Sequence, residues 1–309
     1  MISRAFDRNS SQGFTLIELI MVIAIAGVVA VMVSTIFGNQ MSAFVDLSRR
    51  AALVDQAETS VRQIARDVRH ALPNSLRVTT SGTLRLLEFI PIIDAGRYRS
   101  KVGDGSVVDD DDVLDFSAED TSFQVLGRLP SIASGSRMVI YNIGQKTASG
   151  VPVAGANVYA DVAPASVPVT VPVEDSHVIS PSGAVFSDAG NNVLSTTIAH
   201  QFSFESPQKR FYFINKPVSY ICDLANKRIV KYAGYTLDET TPAQPTDMTV
   251  APLLGASIKA TLVENVSACS FSYDAGNAQR AGLLTLAVTV EENDESVNLT
   301  LQVHVDNAP

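Results

Sequence analysis

The chain has 309 residues, enough for one large domain or two ordinary ones, and its 46% apolar against 18% charged residues argue against wholesale disorder. With 23 basic and 32 acidic residues the formal net charge is -9, which argues against a nucleic-acid binder built on a basic stripe. Two cysteines and four histidines are too few for zinc ribbons or a disulfide-dense scaffold.

The apolar excess is concentrated at the N-terminus. Residues 14–37 read FTLIELIMVIAIAGVVAVMVSTIF, and from Leu19 to Val45 no side chain is ionisable, a gap of 27 residues. About 20 apolar residues in a helix cross roughly 30 Å of hydrocarbon, so the length fits a membrane span. A short polar leader with Arg4, Asp7 and Arg8 precedes it. A secretory signal would end at Ala24-Ile25-Ala26, but the apolar run continues beyond that site and Glu18 interrupts its start. A plain anchor leaves Glu18 at a cost of about 2.5–3.5 kcal/mol if it lies centrally in the bilayer.

Gly13-Phe14-Thr15-Leu16-Ile17-Glu18 supports a third reading, because it resembles the processing motif of type IV prepilins and pseudopilins. The resemblance implies cleavage after Gly13 by a prepilin peptidase, methylation of Phe14, and retention of the apolar helix. Cleavage would expose an amine at Phe14 about one helical turn from Glu18, a cation for a carboxylate in an apolar setting. In a filament, the resemblance implies, Glu18 pairs with the amine of a neighbouring subunit and helps set the stagger.

The helical pattern continues past the span. Phe44, Leu47, Ala51, Val54, Ala57, Val61, Ile64, Val68 and Leu72 recur by threes and fours and define an amphipathic stripe that Pro73 ends. One helix of 59 residues, 14–72, would be roughly 89 Å long. Its second half is expected to pack on the chain's own downstream sheet. The predicted organisation is therefore a leader (1–13), a membrane or filament-core helix (14–40), its amphipathic continuation (41–72) and a β-rich body (73–309).

From Asn74 the period shortens to that of strands. Strands are predicted at 75–78, 84–90, 122–125, 138–142, 198–204, 211–214, 218–222, 227–233, 261–263, 269–273, 283–290 and 296–305. The last two flank Glu291-Glu292-Asn293-Asp294-Glu295 and read as a long hairpin. Residues 91–115 and 150–195 read as extra loops, the second Pro-rich. One long helix followed by strands without β-α alternation implies an α+β fold with an antiparallel sheet. The pilin-like fold that the resemblance implies has that arrangement.

Once the leader and helix are set aside, residues 73–309 hold 16 basic and 26 acidic residues, so the body is acidic. Asp109, Asp110, Asp111 and Asp112 head an acidic cluster that reaches Asp120. It offers oxygen ligands for calcium but lacks the EF-hand frame, and a solvated loop is the competing reading. Nucleophile-elbow, phosphate-loop and metalloprotease motifs are absent, and His70, His177, His200 and His304 show no metal-ligand spacing. The expectation is a non-enzyme with no cofactor. Cys222 and Cys269 read either as a disulfide or as two thiols. The export that the resemblance implies favours the bond.

The body adds a narrower likeness. Val218-Ser219-Tyr220-Ile221-Cys222-Asp223, Ala268-Cys269-Ser270-Phe271-Ser272-Tyr273 and the ending Gln302-Val303-His304-Val305-Asp306-Asn307 resemble minor pilins of the mannose-sensitive haemagglutinin (MSHA) pilus. The J-type minor pseudopilins of type II secretion are more loosely similar. These likenesses imply a structural subunit that waits in the inner membrane with its body in the periplasm and then joins the filament at the cell surface. Its implied partners are other minor and major pilins, the prepilin peptidase and the inner-membrane assembly platform, with no nucleic acid. A tip adhesin binding a surface or glycan is the alternative from a different class.

Overall fold

The computed structural model describes residues 13–101, 112–160, 176–237, 243–276, 281–293 and 295–307. The chain forms two compact units, Met1–Ala52 and Leu53–Pro309, and helix α1 (Leu16–Val68) contributes to both. In the first unit the apolar stretch Leu16–Ile36 is long and apolar enough to cross a membrane, and none of it is buried within the chain. A helix of 21 residues spans about 32 Å, close to the hydrocarbon thickness of a bilayer. Phe44, Leu47 and Ala51 of the expected stripe are exposed as well.

In the second unit the stripe becomes a core. Leu53, Ala57, Val61, Ile64 and Val68 of α1 are buried against apolar faces from two sheets. The first sheet runs in the order β1 (Arg77–Ser81), β2 (Leu84–Phe89), β9 (Val218–Asp223), β10 (Arg228–Ala233), β11 (Ile258–Glu264). The second comprises β12 (Val266–Asp274), β13 (Gly282–Glu292) and β14 (Glu295–Val305). All paired strands are antiparallel. Leu284, Leu286, Val288 and Val290 alternate inward along β13, as one-sided burial requires. The long C-terminal hairpin pairs Gly282 with Val305 through to Glu292 with Glu295, and Asn293 takes a positive φ of 50° at its connection.

A polar contact fixes the helix on the first sheet. Asp67 Oδ2 accepts from Lys231 Nζ at 2.6 Å and from the Tyr220 hydroxyl. Burial, then the hydrogen bond to Asp67 and its charge, pushes the Tyr220 phenol far above its usual range, so it stays a donor. Cys222 on β9 and Cys269 on β12 are joined by a disulfide with Cα atoms 6.6 Å apart, tying the two sheets together.

The helix ends four residues before the expected Leu72. Ala71 N–H still bonds Val68 C=O, but Leu72 N–H then donates to Ile90 C=O and His70 C=O accepts from Ile92 N–H, both at 2.8 Å. The chain is captured as an edge partner of the Ile90–Ile92 segment before Pro73, whose preceding residue already disfavours helix.

A second, aromatic core is built by two small sheets, β3 (Ile92–Arg97), β8 (Arg210–Ile214), β5 (Arg137–Val139) and β4 (Asp120–Gln124), β7 (Val193–His200), β6 (Phe186–Gly190). Phe123, Phe186, Phe211 and Phe213 meet edge-on, with centroids 5.2–5.8 Å apart. Residues 91–115 and 150–195, expected as loops, supply β3 and β6. Their alternation is broken by Asp94, Gly96 and the mostly exposed FSDAG run of β6. Gly96 faces the Phe211 ring so closely that a Cβ would overlap it, so that strand position admits only glycine without a shift of the ring.

Candidate functional site

The N-terminal motif folds into a defined helix start. Thr15 immediately precedes α1, and its Oγ1 accepts the Glu18 N–H at 3.3 Å. Glu18 Oε2 accepts from both the Thr15 N–H and the Thr15 hydroxyl at 3.0 Å. This reciprocal pair is a capping box, which satisfies donors that a helix start leaves open. Gly13 and Phe14 precede it, and Phe14 is 85% exposed. The Thr15-x-x-Glu18 spacing is also a helix-start signal in its own right. Glu18 thus stands in the first turn of an apolar rod, with its carboxylate held by its own chain.

The other predicted residues lie in the second unit. Cys222 is fully buried and Cys269 half-buried in the disulfide. Asp109, Asp110 and Asp111 lie outside the described residues. Asp112 lends its backbone C=O to Gln124 N–H. Asp115 binds the Ser117 hydroxyl and N–H, and those bonds hold its carboxyl below the usual range. Among the described residues, no three His, Cys, Asp or Glu side chains converge as a metal site.

Two of the four histidines are buried together. His177 Nδ1 accepts from Ile179 N–H at 3.1 Å, so its Nε2 carries the proton and donates to Ala160 C=O. His200 Nε2 bonds His177 C=O at 3.2 Å, and its ring stands edge-on to Phe202. Burial pushes the His200 imidazole down to about 4. The unfolded chain binds a proton at His200 near pH 6.5, whereas the folded chain resists it until about 4. The stabilisation is therefore complete above pH 6.5 and is lost as pH falls towards 4, amounting to about 3 kcal/mol. Unfolding measured from pH 7.5 to 4 is expected to show this loss, and His200→Gln to flatten it. An unchanged slope in the variant would assign the acid sensitivity elsewhere.

Sequence reasoning finds no polar pocket, yet one is present. A cleft of about 280 Å³ is lined by Arg77, Glu88, Tyr235, Gln244, Thr246 and Asp247 among others. Arg77 and Glu88 are cross-strand partners on β1 and β2, with Nε donating to Oε2 at 2.6 Å. The Arg77 guanidinium lies 3.6 Å from the centroid of the Tyr159 ring. Burial is the largest influence and works to lower the Arg77 guanidinium, but the charge and hydrogen bond of Glu88 together with Tyr159 and Tyr235 outweigh it and leave the group raised. Tyr235 OH donates to Glu88 Oε1 at 2.7 Å and also meets Ser219 Oγ. Burial pushes the Tyr235 phenol well above its ordinary value. The floor is thus a neutralised ion pair with both carboxylate oxygens already engaged. The alternation of β1 and β2 hints at the Arg77–Glu88 pairing, but nothing local brings Gln244 and Asp247 to it.

A family model described as the prokaryotic N-terminal methylation motif matches residues 8–34. No curated protein and no solved structure matches the chain. The matched residues span Gly13, Phe14, the Thr15–Glu18 cap and most of the unburied apolar helix. They carry the type IV prepilin-like signal, and with an α+β body behind them they indicate a type IV pilin- or pseudopilin-like protein.

Proposed function

We propose that the chain is a minor pilin of an MSHA-like type IV pilus, of the MshO type, that acts in priming or assembly at the filament tip. It is cleaved after Gly13, methylated at Phe14, held in the inner membrane by α1, and drawn into the filament through that helix by other pilins and the assembly platform. One observation carries this reading. The apolar stretch Leu16–Ile36 has no burial within its own chain and starts beside a single carboxylate inside the matched methylation motif. Such a surface needs lipid or other helices around it. The acidic body, the sheet-bound end of α1 from Leu53 to Val68 and the disulfide suit an exported subunit.

Mass spectrometry of the mature N-terminus tests the processing step. An N-methylated phenylalanine at position 14 is the expected result. A chain starting at Gly27 would mean conventional secretion, and an intact leader would mean no processing at all.

A tip adhesin is the second reading, favoured by the polar cleft beside Arg77 and Glu88. Deletion separates the two roles. Loss of filaments supports priming, whereas normal piliation with lost adherence supports adhesion. A minor pseudopilin of type II secretion shares the N-terminal chemistry, and deletion would then abolish secretion instead of piliation.

A further inference from the structure

We propose that the outer edge of β14 takes up an extended segment of another protein as an added antiparallel strand, alternating apolar and polar residues and ending in basic ones. The inference stands on the body alone and holds whether or not the chain enters a filament.

Strand β14 closes the second sheet, pairs only with β13 among the described residues, and runs for 11 residues in unbroken register. Glu291 N–H donates to Asn265 C=O, on the β12 side of β13, at 2.8 Å. Backbone direction alternates along a strand, so the odd residues of β13 serve β12 and the even ones serve β14. Those even residues pair with odd residues of β14, Leu286 with Leu301 for example. The N–H and C=O groups of Ser296, Asn298, Thr300, Gln302 and His304 therefore point to the open edge. All five residues are exposed.

Such an edge templates another strand unless shortness, a bulge, Pro or charge blunts it. The other edges are blunted. Strands β1, β3, β4, β5, β6 and β11 have three to seven residues, and β12 is bulged between Val266 and Ala268. From Ser296 to Val305, by contrast, there is no bulge, no Pro or Gly, and no Asp, Glu, Lys or Arg.

The surrounding side chains define the partner. On the inner face Val297, Val303 and Val305 are buried, whereas Leu299 and Leu301 between them are only half-buried. Apolar residues on the same face of an added strand complete their cover. The outer face is polar, with Asn298 Nδ2 donating to Thr289 Oγ1 at 2.8 Å, so the alternate residues of the added strand are polar. Glu291 and Glu292 stand exposed at the hairpin tip, beside Glu295. The C-terminal end of an antiparallel strand arrives at that tip, and basic residues there complement it. A second copy of this chain fails on charge. Antiparallel overlap sets Asp306 of each copy beside Glu295 of the other, and parallel overlap stacks the two acidic tips.

The test uses the full chain in detergent and a fluorescein-tagged peptide, Val-Thr-Val-Thr-Val-Thr-Lys-Lys. One comparator carries Glu-Glu in place of Lys-Lys. Another is N-methylated throughout, which keeps the side chains but removes the backbone donors. Fluorescence anisotropy gives the affinity, and hydrogen exchange read by mass spectrometry locates the protected amides. Saturable binding of the lysine peptide with slowed exchange in β14 is expected, and both comparators should bind about tenfold more weakly. Thr300→Pro removes an edge N–H that β13 does not use, and should weaken binding about tenfold with circular dichroism unchanged. Glu291→Lys combined with Glu292→Lys should reverse the preference between the lysine and glutamate peptides, which a loss of folding does not do. The proposal is overturned if the lysine peptide does not bind saturably, if the N-methylated form binds as tightly, or if the protection lies outside β14. It is equally overturned if light scattering shows a dimer that Thr300→Pro abolishes, because a second copy is then the occupant.

Discussion

Removing the Cys222–Cys269 disulfide is expected to lower the stability of the body by about 4 kcal/mol, because the bond closes a loop of 47 residues in the unfolded chain. Within that loop lie β10, β11 and the whole 243–252 segment that walls the cleft. Cys222 sits on β9, a strand buried at every position and paired on both sides, by β2 and by β10. Cys269 sits on β12, at the edge of the other sheet. The crosslink thus joins the two surfaces on which the buried end of α1, Leu53 to Val68, rests. The cleanest variant is Cys222→Ala with Cys269→Ser, since a serine at the fully buried position 222 would add the cost of a desolvated hydroxyl. Urea unfolding of this variant, and of the parent under reductant, should give the same lowered midpoint and the same steeper slope, because the uncrosslinked unfolded chain exposes more surface. A loss below about 1 kcal/mol would mean that the unfolded chain is already held compact without the bond.

How readily each part can be read follows the range of the contacts that make it. The unburied apolar rod is legible because 27 successive residues without an ionisable group leave few options in water. The C-terminal hairpin is equally plain, since Leu284 to Val290 and Val297 to Val305 alternate and a polar turn joins them. Strand β3 is not legible, because Asp94 and Gly96 owe their places to partners far along the chain. Asp94 Oδ2 accepts from Ser131 N–H and from Arg128, and Gly96 makes room for Phe211. The helix end escapes the sequence for the same reason, as Ile90 captures Leu72 and no rule of helix termination contains Ile90. The cleft is the least visible feature. Its charged floor is a cross-strand pair 11 positions apart, and its far wall arrives more than 150 positions later.

Glu18 carries the largest functional effect expected of any single side chain here, and its geometry permits two explanations that one pair of substitutions separates. In the isolated chain the carboxylate closes a capping box with Thr15, which accounts for a Glu at this position on local grounds alone. A filament contact with a neighbour's amine requires the charge itself. Glutamine keeps the acceptor that a capping box uses but has no charge, whereas leucine removes both. If the charge is what assembly reads, Glu18→Gln and Glu18→Leu should each reduce incorporation into filaments at least tenfold, equivalent to about 1.4 kcal/mol or more of lost pairing. Thr15→Val, which breaks the cap but leaves the carboxylate, should incorporate near the parental level. Immunodetection of the chain in sheared filaments, normalised to the membrane pool, provides the measurement. If Glu18→Gln incorporates like the parent while Glu18→Leu fails, the residue acts as a helix cap. The electrostatic docking of the rod would then have to be abandoned, and hydrophobic contact along Leu16–Ile36 would have to set the stagger unaided.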